Sequence, residues 1–158
     1  VAADVISACL AYYDSLSFSG RPPIYFAEAP AKTDAGATLL PPYTVLLDDG
    51  TTSAFTEELV PIETTKVRFH CYAKGLADAV ATARGIKYDQ GAPDAREGFD
   101  FAPPDDFPLD ATAGVLLDGG LVRTAERRFV TPDRLDGTRV HMVELSYILV
   151  VRIGDVST

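Results

Sequence analysis

The stretch from Ile62 to Tyr88, IETTKVRFHCYAKGLADAVATARGIKY, switches from one hydrophobic period to another almost without a linker, and this switch constrains the fold more than any other feature. Val67, Phe69, Cys71 and Ala73 alternate with Lys66, Arg68, His70 and Tyr72. That period of two belongs to a strand with one buried face. Leu76, Val80 and Ala83 then recur at intervals of four and three, which marks one stripe of a helix. A strand that feeds a helix with so little intervening chain requires the helix to fold back onto the strand's own sheet.

The flanks extend this unit. An amphipathic helix is expected at the start, where Val5, Ala8, Cys9, Tyr12 and Leu16 fall on one side. Ile24 to Ala27 reads as a short strand, and Glu28 to Pro42 as a loop broken by Pro30, Gly36, Pro41 and Pro42. Tyr43, Val45 and Leu47 alternate in a strand that Asp48-Asp49-Gly50 should end in a tight turn. A polar run through Thr56 to Glu58 leads into the long strand. Further on, Gly114 to Asp118 and Leu121 to Thr131 read as two strands of a hairpin joined at Asp118-Gly119-Gly120, and Asp133 to Gly137 as another turn. The closing strand, Arg139 to Ile153, carries Val143, Leu145, Tyr147, Leu149, Val151 and Ile153 on one face. Met142, Ile148 and Val150 make its other face partly apolar, as in a strand that lies inside a sheet or under a partner. The fold class expected is α+β: a mainly antiparallel, twisted sheet packed against an N-terminal helix and a second helix, with residues 1–158 forming one domain.

Between the second helix and the strands after it, Asp89 to Ala113 is rich in proline and acid. A segment of this length inside a domain is usually functional or mobile. Phe99, Phe101 and Phe107 are too many aromatics for a solvated linker, so they dock either on their own domain or on a neighbouring subunit.

The chain has 158 residues, enough for one core without disulfide staples. It carries 23 acidic against 14 basic side chains, a formal net charge of -9, which argues against a clamp that binds nucleic acid by neutralising phosphates. Cys9 and Cys71 read as buried free thiols rather than as a disulfide or metal site. No stretch approaches the ~20 apolar residues that span a bilayer. VAADVISACLAYY lacks a basic start and contains Asp4, so it does not read as a secretory signal, and the compartment expected is the cytoplasm or a particle assembled there.

Catalytic signatures are thin. There is no GxxxxGK[ST] or GxGxxG phosphate cradle and no GxSxG elbow. His70 and His141 lie on strands without ligands at metal spacing. His70 and Cys71, as strand neighbours, point to opposite faces and form no dyad. Glu57-Glu58 and Asp105-Asp106 read as solvated charge, and Asp48-Asp49-Gly50 falls short of a calcium loop. Arg123, Arg127 and Arg128 suit phosphate binding, a subunit interface or cross-strand pairing equally. No cofactor, metal or catalytic residue is expected.

The element order resembles the tail terminator and head–tail connector family of long-tailed bacteriophages, from about Ala2 to Ile153. Thr64 to Ala73 and Leu76 to Tyr88 are similar to that family's central strand and helix, and Arg139 to Ile153, with SYILVVRI, to its closing strand. The resemblance implies a sheet with helices on one side and a hexameric ring at the head-proximal end of the tail tube. Such a ring stops tube polymerisation and joins tail to head connector. Its partners would be other copies of itself, the tail tube protein and a head-completion protein, with DNA passing through without specific binding and no membrane involved. The virion neck, assembled in the host cytoplasm, is the implied location. The acidic segment from Asp89 to Ala113 is longer than the family leads one to expect.

A closed head-to-tail ring needs two different patches per subunit. The acids Asp94, Glu97, Asp100, Asp105, Asp106 and Asp110 form one candidate, as subunit or lumen contacts, and Arg123, Arg127 and Arg128 the other, of opposite sign. A head-closure or tail-completion protein is the alternative within this class. A small enzyme or ligand-binding domain, its site built from scattered residues, is the alternative outside it.

Overall fold

The computed structural model describes residues 4–89, 97–101, 107–109, 114–132 and 139–153. Helix α1 (Val5–Ser15) opens on Asp4, whose carboxylate accepts hydrogen bonds from Ser7 N at 2.7 Å and Ser7 Oγ at 3.0 Å. This satisfies donors that a helix N-terminus leaves free. At the other end the Arg21 guanidinium donates to the carbonyls of Tyr13, Asp14 and Leu16, placing a cation where the helix dipole is negative. The expected stripe is the buried one: Val5, Ala8, Cys9, Tyr12 and Leu16 all enter the core, joined by Tyr13.

The strands β1 (Ile24–Phe26), β2 (Tyr43–Phe55), β3 (Pro61–Ala73), β4 (Val115–Pro132) and β5 (Arg139–Arg152) form one sheet in the order β1-β2-β3-β5-β4. Only the β1–β2 pair is parallel. The α+β expectation holds, and β5 lies inside the sheet as its two-sided apolar pattern implies. Helix α2 (Leu76–Tyr88) follows β3 and folds back against β3 and β5. Both helices pack on the same sheet face, over Leu46, Val67, Phe69, Cys71, Val143, Leu145, Tyr147, Leu149 and Val151. Cys9 and Cys71 are buried free thiols in that core.

Three local expectations are corrected. Asp48-Asp49-Gly50 is not a turn; it is a bulge, with a register shift between Asp48 and Gly50, and β2 continues to Phe55. The reversal lies at Thr56–Val60, where Thr56 Oγ1 accepts from Val60 N at 3.1 Å. Gly50 supplies positive φ in either geometry, so local sequence alone does not separate a bulge from a turn. Likewise Asp118-Gly119-Gly120 makes no hairpin. Both flanks pair with the same strand, Leu116 opposite Val151 and Leu121 opposite Leu149, so β4 is one strand with an irregularity. In α2, Leu76 is 40% exposed, and the face that packs is Ala79, Ala83 and Ile86, with Val80 at its margin. Small residues face the sheet there because the helix lies close, and the Phe18 ring occupies the space a side chain at Gly85 would need. The turn expected at Asp133 to Gly137 lies outside the described residues.

Of the phenylalanines between α2 and β4, Phe99 and Phe107 dock on their own domain, at 0% and 4% exposure. Phe99 lies against Tyr12, Phe69 and Tyr147. Its segment closes the end of α2: Phe99 N and Asp100 N donate to the carbonyls of Ile86 and Lys87 at 2.8 and 3.1 Å. Phe101 is 44% exposed beside Tyr88.

Candidate assembly surface

Residues opposite one another across antiparallel strands share a face. The register therefore sorts the candidate arginines of β4. Arg123 lies opposite Tyr147 and Glu126 opposite Leu145, on the helix-covered side. Arg127 lies opposite Glu144 on the side without helices, and Arg128, opposite Val143, returns to the helix side. The three arginines thus do not form one patch. The irregularity between Arg123 and Ala125 brings Arg123 and Glu126 onto the same face, 3.9 Å apart.

On the helix side the acidic segment and the arginine strand meet within a single chain. Asp100 accepts from Tyr147 Oη at 2.6 Å and from Arg123 Nε at 3.2 Å. Glu126 pairs with Lys87 of α2 at 3.1 Å. Burial, and then the neighbouring Asp100 carboxylate, push the Tyr147 hydroxyl well above its usual range, so it stays a donor. Two of the candidate contact residues, Asp100 and Arg123, are therefore engaged in holding the segment at 97–101 against the sheet. Glu97 is exposed. Asp94, Asp105, Asp106 and Asp110 lie outside the described residues.

The helix-free face carries a second cluster that the sequence does not display. Arg68 bridges Asp49 at 2.6 Å and Glu144 at 3.2 Å, and Glu144 also contacts His70 Nε2 at 2.9 Å. Burial holds His70 below its usual pKa, against the opposing pull of Glu144. The bulge aims Asp49 at Arg68, and the β3–β5 register places His70 opposite Glu144. These facts are invisible without strand pairing. Chemically, each carboxylate here is engaged by a cation or an imidazole, which makes the cluster a cross-strand brace. His141, the other histidine, lies at the Ala73 end of β5 and shares no contact with it. Among the described residues no group of His, Cys, Asp and Glu is arranged to hold a metal ion. No helix there is long and apolar enough to cross a membrane.

Around this brace the helix-free face is apolar at both ends. Val45, Val140 and Met142 are buried, while Val122 and Phe129 of β4 are 45% and 39% exposed, beside half-buried Ile148 and Val150. A cleft of about 430 Å³ opens where the β2–β3 turn meets Leu117 and Arg152.

No protein-family model and no curated protein matches the chain. Among solved structures, a chain described as "Virion of native gene transfer agent (GTA) particle" aligns over 95% of this chain and 87% of its own, with 14% identity and a TM-score of 0.47. At that identity and score the likeness assigns no function.

Proposed function

We propose that this chain is a structural subunit of a phage-like tail, acting as a tail terminator. Six copies close a ring at the head-proximal end of the tube, stop its polymerisation and present a surface to the head connector. The sequence resemblance supplies this role. The observation that carries it structurally is the helix-free sheet face, where Val122 and Phe129 are exposed and Ile148 and Val150 half-buried, with no covering layer among the described residues. Exposed apolar surface of this kind marks an interaction site. The polar clusters beside it are closed on themselves and brace the sheet rather than converge on a substrate.

DNA crosses such a ring without specific binding, in keeping with the excess of acid. The acidic segment, including Asp105 and Asp106, is the candidate lining of the lumen or contact to the tube protein. A reconstruction of the particle with this subunit tagged tests the role: six copies around the tail axis at the head junction are expected. A single copy, or a place away from the axis, overturns it. With Asp105→Lys and Asp106→Lys, normal tails with slowed DNA delivery place the segment at the lumen, whereas lost assembly places it at an interface.

A further inference from the structure

We infer that the sheet continues from copy to copy, the outer edge of β2 from Thr51 to Phe55 pairing with the outer edge of β4 of a second copy as an added antiparallel strand. The inference rests on the ring reading for the closure of the assembly, and on the two edges themselves for the join.

β1 covers β2 only from Thr44 to Leu46. Beyond that, among the described residues β2 has β3 on one side and no strand on the other, so its outward N–H and C=O groups have no ladder partner there. β4, at the opposite margin, is paired among the described residues on its β5 side alone. Proteins usually blunt such edges with charge, proline or a bulge. Thr51-Thr52-Ser53-Ala54-Phe55 has none of these: its pairing with β3 is regular from Gly50 to Phe55, and every one of its residues is exposed. β4 is likewise regular from Ala125 to Pro132.

Charge selects the occupant. Asp48 lies on β2, Glu63 on β3 opposite Ser53, and Glu57 and Glu58 in the turn that ends β2, so the β2 end of the sheet is acidic; among the described residues these acids form no ion pair, and neither do Arg127 and Arg128 on β4. A β2–β2 join would bring acid against acid, and a β4–β4 join base against base. Only β2 against β4 brings opposite signs together, and complementarity of this kind sets partner and register. That join uses two different patches, as a ring of head-to-tail contacts requires.

Direction agrees. Each step from β2 through β3 and β5 to β4 is antiparallel, so β2 and β4 run oppositely. A neighbour related by rotation about a ring axis to which the strands are tilted therefore adds β2 antiparallel to β4. Across one copy, Arg127 is level with Val45, by way of Glu144 and His70. Bringing Arg127 to the free edge at Thr51–Phe55 offsets adjacent copies along the strands, and closing a sheet on itself requires such a stagger. Phe55, 69% exposed, and Val130, 53% exposed, supply apolar surface on the two edges.

The test is the mass of the full chain in solution, by size exclusion with light scattering. The wild type is expected to form species larger than a monomer. Thr52→Lys with Ser53→Lys places cations opposite the arginines, and Arg127→Glu with Arg128→Glu places acids opposite the acidic edge; each pair is expected to give a monomer with unchanged circular dichroism. Mixing the two variants restores assembly, since every join then faces opposite charges. Hydrogen exchange on the unsubstituted chain gives a reading independent of variant folding: amides at 51–55 and 125–130 slow by about tenfold or more on assembly. Wild-type-sized assemblies from both variants, or unchanged exchange at both edges, overturn the join while leaving the ring to the particle reconstruction. A wild type that stays monomeric at every concentration overturns self-joining, and the reconstruction then decides the virion role separately.

Discussion

The Tyr147 hydroxyl donates to the Asp100 carboxylate at 2.6 Å, linking the middle of the closing strand to a segment that reads as loop from sequence. Tyr147 is 1% exposed, so its hydroxyl has no water to replace this acceptor. Tyr147→Phe keeps the ring against Phe69 and Phe99 but removes a hydrogen bond to a charged group. A loss of about 2 kcal/mol is expected. In a chain of this length that lowers Tm by roughly 5 °C. Differential scanning calorimetry checks it, and an unchanged Tm would show that the bond contributes nothing net.

Gly85 lies inside α2, where alanine would normally add about 1 kcal/mol of helix propensity. Here a Cβ would enter the Phe18 ring. Overpacking of this kind costs about 1–3 kcal/mol, so Gly85→Ala is expected to destabilise on balance. Phe18→Leu vacates the space, and the pair should show a favourable coupling of about 1 kcal/mol in a double-mutant cycle. Urea unfolding of the four chains measures it. Additive effects would mean the ring moves aside freely.

These two sites mark the limit of what the sequence makes legible. The period of two from Val67 to Ala73 identified the buried face of β3, and the stripe from Val5 to Leu16 identified that of α1, because burial is written in local spacing. The α2 face is not written in local spacing, because Leu76 weighs more than Ala79 on a hydrophobic scale, whereas close approach to a sheet favours the smaller residue. Gly50 and Gly119 mark chain irregularity, yet whether the chain reverses there depends on what its far side pairs with. The Arg68, His70, Glu144 and Asp49 brace has the same cause: it brings together residues from three strands through register alone. The proposed surface was legible only in the two-sided apolar pattern of Met142, Ile148 and Val150.

His70 confers a pH dependence with a definite sign. Burial lowers its pKa in the folded chain from 6.5, with Glu144 opposing, and Arg68, Asp49 and Tyr72 lie around it. As pH falls below about 6.5 the unfolded chain takes up the proton first. Stability present above that pH is therefore lost as pH drops through the folded-state value. His70→Gln removes this term, and the dependence of urea midpoint on pH between 5 and 7 should flatten. At pH 8 the change in stability should stay within about 1 kcal/mol, with assembly retained. Loss of assembly in a folded His70→Gln chain would instead assign the imidazole a functional role.

Leu59, at the tip of the β2–β3 turn, is 77% exposed and holds φ at +62°. A left-handed backbone costs a branched side chain about 1 kcal/mol or more relative to glycine. Neither feature helps the isolated subunit, since the side chain gains little burial and its backbone is strained. Packing of the side chain on another molecule, close to the β2 edge proposed to join a neighbour, offsets both costs. Leu59→Gly is thus expected to leave Tm equal or slightly raised while weakening assembly at least severalfold in the concentration needed. Calorimetry and concentration-dependent size exclusion on the same preparation read the two effects. A lower Tm with unchanged assembly would show that Leu59 serves the turn alone.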